Sequence, residues 1–399
     1  MPGLLVTGGR IVDPVASLDA LRDLRIRDGR IVEIGQYLAA GDEELLDATG
    51  CIVAPGLIDM HVHLRDPGYP EKETLATGTE AAVRGGFTSI ACMPNTNPAL
   101  DTPAIVAALR ERIVTEARCR VYPIAAMTIA RQGRQACDYV ALADAGAVAF
   151  SDDGDTVRDG AVLERAAALA REARGPFISH CEPENEIVAR DLDIAARTGK
   201  TWHVAHCSTS EALDTIRRHR DAHENVTCEV TPHHLTFTAG EVALRMGPAA
   251  RVNPPLRTRE DVEALRRAVF DGTVDVLASD HAPHTDAEKR DRQHPPPGFT
   301  GLEVALGAYG AALEALPYPR LIALLSANPA RILGIEGGTL AVGAPADVTI
   351  FAHRPWTVDT ATFASKGHVT PFAGQRLPLK TLATIVGGEL RYRAPDMAA

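Results

Sequence analysis

Short apolar runs alternate with helix-patterned segments over most of the chain, from Leu57 to about Leu333. In the intervening segments apolar residues recur at helical spacing, often with a glycine just after the last turn. The eight runs are IDMHVHL, TSIACMP, RVYPIAAMT, AVAFSDD, PFISHCE, TWHVAHCS, VTCEVTPHH and VDVLASDHAPH. Eight strand–helix units predict an α/β fold with a closed parallel (β/α)8 barrel, the TIM barrel. A doubly wound open sheet is the rival architecture, which the number of units disfavours.

The two ends of the chain have a different pattern. Residues 1–54 alternate short β-like runs with D-G and G-G pairs, which are typical of hairpin turns. The last part of the chain returns to this pattern in ADVTIFA and TLATIVGGELRY. Neither end alone could cover both faces of a sheet, so we expect the two ends to meet in one small β-sandwich. The predicted domains are therefore 1–54 with 335–399, and a barrel of residues 55–334.

Composition and charge exclude several functional classes. The 399 residues are 45% hydrophobic and 23% charged, as in ordinary globular proteins. A net charge of −11 disfavours nucleic-acid binding, which needs clustered Lys and Arg. No stretch reaches the roughly 20 apolar residues that span a bilayer, and the first residues do not resemble a secretory signal. Seven singly scattered cysteines fit a reducing compartment, so we expect a cytoplasmic protein.

Metal-binding side chains recur where the predicted strands end. The first strand ends in His61 and His63, which face the same side because they alternate along a strand. Matching positions on the fourth, fifth, sixth and eighth strands carry, in order, Asp153, His180, His206 and Asp280. A single such histidine is readily explained by a structural hydrogen bond, but the whole set indicates a metal site at the barrel mouth. Imidazoles and carboxylates suit zinc, and the pattern leaves one ion or two open.

Motifs along nearly the whole chain resemble those of the dihydroorotases, of the class I type in the amidohydrolase superfamily. HVHLRDPG at 61–68 is similar to the family's signature. Further blocks follow in the family's order: MPNT, FSDDG, SHCE, HVAHCST, EVTPHH, NPPLR, SDHAPH, TGLE and NPARILG. One block would be weak, but the ordered set is highly specific. The resemblance implies zinc-dependent interconversion of N-carbamoyl-L-aspartate and L-dihydroorotate, a step of pyrimidine biosynthesis.

The resemblance also implies roles for individual residues. His61 and His63 match the ligands of a first zinc ion, Asp153 a bridging carboxylate, and His180 and His206 the ligands of a second ion. Asp280 matches a residue that touches the first ion and acts as general base. The implied substrate contacts are Arg65, Asn95, Asn253 and His284, with Pro297 and Gly298 in a backbone segment that faces the substrate.

Several neighbouring residues have competing interpretations. A register error of one residue would exchange Asp152, expected to be a local cap, with Asp153. The residues expected not to bind metal are His203, His233, His234, His281, Cys181 and Cys207. For Arg65 the alternative to substrate binding is an ion pair with Asp66 or Glu71.

Two other functional classes are the alternatives. Hydantoinases, dihydropyrimidinases and allantoinases resemble this chain, but many of them use a carboxylated lysine as the bridge on the fourth strand. This chain has no lysine between Lys72 and Lys200, so that bridge is excluded. Some family members resemble inactive scaffolds for aspartate transcarbamoylase, which the intact HxH pair and Asp280 disfavour. A homodimer and an association with aspartate transcarbamoylase both remain open.

The connection after the fifth strand departs from the family's pattern. The family usually has a longer, glycine-rich connection there, whereas here Glu184 leads almost directly into a helix. The ligand positions on both sides survive, so the expected change is in the rim of the active site. By position alone, Thr285–Phe299 is the candidate for a loop that closes over substrate.

Overall fold

A computed structural model describes residues 3–223 and 225–397. Its strands are β1 Leu4–Asp13, β2 Leu18–Arg27, β3 Arg30–Gly35, β4 Glu44–Asp47, β5 Ile52–Pro55, β6 Leu57–Val62, β7 Phe87–Cys92, β8 Arg120–Ala125, β9 Ala149–Ser151, β10 Phe177–Ser179, β11 Trp202–Val204, β12 Val226–Val230, β13 Val276–Leu277, β14 Val348–Thr357, β15 Arg376–Val386 and β16 Glu389–Arg393. Its α-helices are α1 Leu75–Gly85, α2 Pro103–Glu116, α3 Tyr139–Asp144, α4 Gly160–Leu169, α5 Glu184–Thr198, α6 Ser210–Arg220, α7 Ala239–Met246, α8 Arg259–Asp271, α9 Asp286–Lys289, α10 Ala305–Ala312, α11 Tyr318–Ile322 and α12 Asn328–Leu333.

Strands β6 to β13 form one parallel sheet in which each strand pairs with the next along the chain. The sheet closes where Val62 of β6 pairs in parallel with His281, just beyond β13. At this seam the His63 amide donates to the His281 carbonyl at 2.8 Å. The predicted fold class is confirmed: an α/β barrel, with a separate mixed sheet made from the chain ends.

The last barrel strand is shorter than its apolar run in the sequence. β13 contains only Val276 and Leu277. Two residues later the Ser279 amide donates to the Asp59 carboxylate at 3.1 Å instead of to a strand carbonyl. Asp280 then has a φ of 47°, outside the β region. The strand ladder therefore stops just before the predicted ligand, which leaves that side chain free to turn into the barrel mouth.

Helix α1 shows how local sequence fixes the length of the outer helices. Thr74 caps its first turn and forms a capping box with Thr77. Gly86 ends it with a φ of 95°, a conformation that disfavours side chains with a Cβ. The helix ends there and the chain passes directly into β7.

The barrel interior is a packed core on the amino-terminal side of the metal-binding residues. Four core side chains each lie one or two positions before a predicted metal ligand: Met60, Ile178, Ala205 and Ala278. All are at most 2% exposed. The strands therefore present apolar side chains deep in the barrel and imidazoles or carboxylates at its mouth, as expected of this fold.

The mixed sheet combines both chain ends in the order β16, β15, β14, β5, β1, β2, β3, with β4 also paired to β1. It has its own hydrophobic core, which includes Ile11, Leu24, Val348 and Ile385. The domain boundaries at 54 and 335 stay a prediction. Among the described residues, no helix combines the length and apolar character that a membrane span requires.

Candidate active site

Six side chains predicted to bind metal converge at the carboxyl end of the barrel. Asp153 lies at the centre: its Oδ1 is 3.5 Å from His61 Nε2, 3.3 Å from His180 Nδ1 and 3.4 Å from His206 Nε2. Its Oδ2 is 3.4 Å from His63 Nε2. Asp280 Oδ1 completes the group at 3.5 Å from His61 Nε2 and 3.3 Å from His63 Nε2.

These side chains form two sets that share Asp153. One set is His61, His63 and Asp153, and the other is Asp153, His180 and His206. Within each set the candidate ligand atoms lie within 4.8 Å of one another. His61 Nε2 and Asp153 Oδ1 are buried and have no hydrogen-bond partner within the described part of the chain. Buried polar atoms are rarely left without a partner, so the donor set fits a cation between them. Two sets joined by one carboxylate suit a pair of metal ions.

The electrostatics of the site keep its carboxylates ionised. Burial by itself would raise the pKa of Asp153, but the surrounding imidazoles outweigh it and lower that pKa well below its usual range. For Asp280, burial is likewise outweighed by His61 and His63, and the pKa is lowered. Both side chains are therefore acceptors at neutral pH.

Glu229 is a site residue that our sequence analysis missed. From the end of β12 it accepts a hydrogen bond from His61 Nδ1 at 2.5 Å and one from His203 Nε2 at 3.2 Å. With its Nδ1 proton donated to Glu229, His61 keeps the Nε2 lone pair for a metal. The available signal was a glutamate inside the apolar run VTCEV, where a carboxylate needs a buried partner.

Asp59 is a second residue that the sequence analysis missed. It is fully buried and accepts from the amides of His61 at 3.0 Å and Ser279 at 3.1 Å. Burial raises its pKa to about 7. Its carboxyl group joins β6 to the chain after β13, so it fixes the spacing between the HxH pair and Asp280.

The neighbouring candidates have other partners. Asp152 accepts from the amides of Met127 and Thr128 at 2.9 and 3.1 Å, so it holds the preceding loop. His203 and His234 are hydrogen-bonded to protein groups, and His281 Nε2 donates to Glu73 at 3.2 Å. His233 is buried and packs edge-on against Phe299, with its Nε2 unpartnered. Cys181 and Cys207 are buried in the hydrophobic core.

Three site residues adopt a left-handed backbone conformation that is uncommon for residues other than glycine. The φ angles are 57° at Arg65, 32° at His206 and 47° at Asp280. Such conformations cost of order 1–3 kcal/mol each and persist only where surrounding structure imposes them. All three side chains face the same cavity, which is consistent with a functional constraint on their direction.

A small cavity opens onto the metal-binding group. Its volume is about 200 Å³, and its lining is His63, Arg65, Asn95, Asp153, Gly154, His180, His206, Asn253, Asp280, Ala282, His284, Pro297 and Gly298. Every predicted substrate contact therefore lines it. Two of these residues also orient ligands: Asn95 Oδ1 accepts from His63 Nδ1 at 2.8 Å, and the Asn253 amide lies 2.9 Å from His180 Nε2.

Arg65 enters the cavity as a buried cation without a carboxylate partner among the described residues. Its Nε donates to the Pro283 carbonyl at 3.1 Å, and its Nη2 lies 3.1 Å from His284 Nε2. The expected alternative, an ion pair with Asp66 or Glu71, is not formed, because Asp66 pairs with Arg112. Burial lowers the pKa of Arg65 to about 10, so it stays charged at neutral pH. A buried guanidinium in this state suits a carboxylate ligand.

The short connection after β10 is held by contacts to the next loop. α5 begins at Glu184, only four positions after His180. The Glu184 carboxylate accepts from the amides of Ser208 at 2.8 Å and Thr209 at 3.0 Å, and pairs with Arg257 at 3.3 Å. The shortened rim therefore joins the loops that carry His180 and His206, and both ligands stay in place.

Comparisons with known proteins agree with this geometry. The amidohydrolase family profile matches residues 52–391. The dihydroorotase of Pelotomaculum thermopropionicum is 42% identical over 97% of this chain and 98% of its own length. That of Aquifex aeolicus is 39% identical over 98% and 99%. The first alignment spans 419 positions, so that relative has segments this chain of 399 residues lacks.

Solved structures show the same fold. An L-hydantoinase from Arthrobacter aurescens superposes with a TM-score of 0.90 at 23% identity, covering 100% of this chain and 98% of that one. A dihydropyrimidinase from Brevibacillus agri gives 0.87 at 22% identity, covering 98% and 95%. At this identity the likeness concerns the fold alone. The sequence matches go further, and they show that the chain belongs to the amidohydrolase family and, within it, to the dihydroorotases.

Proposed function

We propose that this protein is a zinc-dependent dihydroorotase, which interconverts L-dihydroorotate and N-carbamoyl-L-aspartate. One observation carries the proposal: a buried arginine that has no counter-ion among the described residues faces the same small cavity as the six converging side chains predicted to bind metal. The arginine suits a substrate carboxylate, and the metal-binding group suits an amide carbonyl. A cavity of about 200 Å³ is at the small end for ligand sites and fits a single ring.

The residues present fit a pair of zinc ions. His61, His63 and Asp280 would hold one ion, His180 and His206 the other, and Asp153 would lie between them. When bound, zinc lowers the pKa of water toward neutrality and polarises a carbonyl oxygen.

Asp280 has the position and charge of a general base. Its lowered pKa leaves it ionised, and its carboxylate lines the cavity. In hydrolysis, water adds to the ring carbonyl, the bond between that carbon and the ring nitrogen breaks, and a proton must pass from water to nitrogen. Asp280 would accept this proton and deliver it to the leaving nitrogen, and ring closure would reverse each transfer.

The residue at the bridging position distinguishes this site from sites in which a carboxylated lysine is the bridge. Asp153 occupies the centre of the ligand group. Lys200, the next lysine after Lys72, is buried elsewhere and donates to the carbonyls of Ala170 and Ala173 at 2.8 Å each. A carboxylated lysine bridge therefore has no source on this strand, which supports dihydroorotate over hydantoin or allantoin as substrate.

The proposal is tested by assaying dihydroorotate hydrolysis before and after chelation, with hydantoin and allantoin as competing substrates. We expect turnover of dihydroorotate that chelation abolishes and added zinc restores. No turnover at full metal occupancy would contradict the assignment and favour a scaffold. Preferential turnover of hydantoin or allantoin would also contradict it.

Arg65→Met should lower kcat/KM for dihydroorotate by about 100-fold or more, mainly through KM. Losing one partner of a buried charged pair costs about 2–5 kcal/mol. Steady-state kinetics measure the change, and Arg112→Met is the matched control because Arg112 is half-exposed, pairs with Asp66 and Glu116, and does not line the cavity. Equal losses in both variants would argue for a structural role of this turn and against carboxylate binding by Arg65.

The homodimer, the association with aspartate transcarbamoylase and the cytoplasmic location that the sequence suggested stay predictions.

A further inference from the structure

Three consecutive prolines, Pro295 to Pro297, lead into one wall of the cavity, which Pro297 and Gly298 line, and none of the three has an amide proton to donate. We call residues 295–298 the proline wall. The first two proline carbonyls each accept from a different side chain, Pro295 from Arg251 Nη1 at 3.0 Å and Pro296 from Lys289 Nζ at 3.0 Å. The Pro297 carbonyl lies 3.0 Å from His284 Nε2. Because proline cannot contribute donors, these side chains replace the backbone hydrogen bonds that usually fix a loop.

Lys289 is the most deeply buried of these three side chains. It is 1% exposed, and its Nζ lies 5.2 Å from the centre of the Phe299 ring. It also donates to the Arg251 carbonyl at 2.8 Å, the same oxygen that accepts from the Gly298 amide at 3.1 Å. Within the described part of the chain, it forms no ion pair with a carboxylate. Burial lowers its pKa to about 7.

A buried lysine without a counter-ion is costly, and an apolar side chain would usually be more stable there. Its two hydrogen bonds explain why a lysine suits the position, since it donates to the Pro296 carbonyl and, together with the Gly298 amide, to the Arg251 carbonyl. The contacts join α9, the segment around Arg251 and the proline wall at one point. The lysine therefore fixes where the wall lies.

The position of the wall determines the shape of the cavity. Pro297 and Gly298 line it directly. Gly298 has a φ of 133°, and a Cβ on it would lie 2.6 Å from the Ala282 carbonyl. The wall therefore packs closely against the segment that begins two residues after Asp280, and a small displacement would change both the substrate contacts and the surroundings of the base.

We propose that Lys289 is a positioning residue, which holds the proline wall at the distance that substrate binding requires. On this proposal the segment 285–299 is held in a fixed position. Its place in the sequence had instead predicted a loop that closes over substrate. The catalytic consequence rests on the proposed dihydroorotase function. The structural consequence does not rest on that function, because hydrogen exchange at the proline wall can be measured without any turnover.

The test compares Lys289→Met with Lys200→Met. Lys200 is a matched control because it is 3% exposed, donates to two backbone carbonyls and lies near two aromatic rings, but is outside the cavity. For Lys289→Met we expect KM for dihydroorotate to rise about tenfold with kcat within about threefold, since misplaced binding groups weaken substrate positioning. Hydrogen exchange at the Gly298 amide, which donates to the Arg251 carbonyl, should accelerate at least about tenfold. Lys200→Met should show neither effect.

Unchanged exchange at Gly298 in Lys289→Met, or the same kinetic change in both variants, overturns the proposal. If Lys289→Met does not fold, Lys289→Gln is measured in the same way, and exchange at the parental rate overturns the proposal. If the parent protein does not turn over dihydroorotate, the proposed function fails and exchange alone decides the role of Lys289.

Discussion

Asp280→Asn should lower kcat for dihydroorotate by about 10³-fold, because the amide cannot accept the proton that Asp280 would transfer. The substitution keeps the shape of the side chain, so folding and the contacts of Asp59 across the seam should persist. Asparagine also removes one negative charge beside His61 and His63, which should weaken binding of one metal ion. Steady-state assays at saturating zinc, together with metal analysis, separate the loss of proton transfer from the loss of metal binding.

The matched control for this prediction is Asp275→Asn. Asp275 directly precedes β13, at the opposite end of the strand, and pairs with Arg220. The Asp275→Asn substitution should change kcat by no more than about threefold, even if it lowers the stability of the fold. A rate in Asp280→Asn close to that of the parent would rule out the proposed base.

Replacing each of the two adjacent aspartates in turn by asparagine tests which carboxylate bridges the metal ions. Asp153→Asn should abolish measurable activity, a loss of about 10³-fold or more, and reduce bound zinc, because Asp153 contacts all four histidines. Asp152→Asn should retain zinc and most activity, since Asp152 contacts the loop that contains Met127 and Thr128. Metal content per folded protein and kcat are measured for both.

Asp152→Asn also serves as the control for altering a buried carboxylate at this strand end. Reduced zinc in Asp152→Asn with full zinc in Asp153→Asn would show that the bridge had been assigned one residue too late. Loss of zinc in both variants with loss of fold would instead indicate a structural requirement for the whole Asp-Asp-Gly turn.

Local patterns predicted the barrel because each strand and helix carries its own periodicity. They also predicted which side chains would converge at the barrel mouth, since barrel chemistry collects at strand ends. Glu229 and Asp59 escaped this reasoning because their partners are distant in sequence: His61 lies 168 residues before Glu229, and Ser279 lies 220 residues after Asp59. The family resemblance implied that Asn253 contacts substrate, but its contact with His180, 73 residues away, was not predicted.

The proline-rich segment illustrates the other limit. The sequence showed a charged and then proline-rich stretch, which is typical of a surface loop. Nothing local indicated that Lys289 and Arg251 would bind the carbonyls of Pro296 and Pro295, so an anchored segment looked like a mobile one. Buried donors that satisfy a segment without amide protons become visible only once the chain is folded.

The seam between Val62 and His281 has a consequence for how the protein is made. The chain supplies the HxH pair near its beginning, but Asp280 follows about 220 residues later, and the same two segments close the barrel. A ribosome-bound chain that has not yet produced residue 280 carries five of the six predicted metal ligands, but it has neither the barrel closure nor the proposed general base. Activity and completion of the barrel are therefore expected to arrive together, late in synthesis.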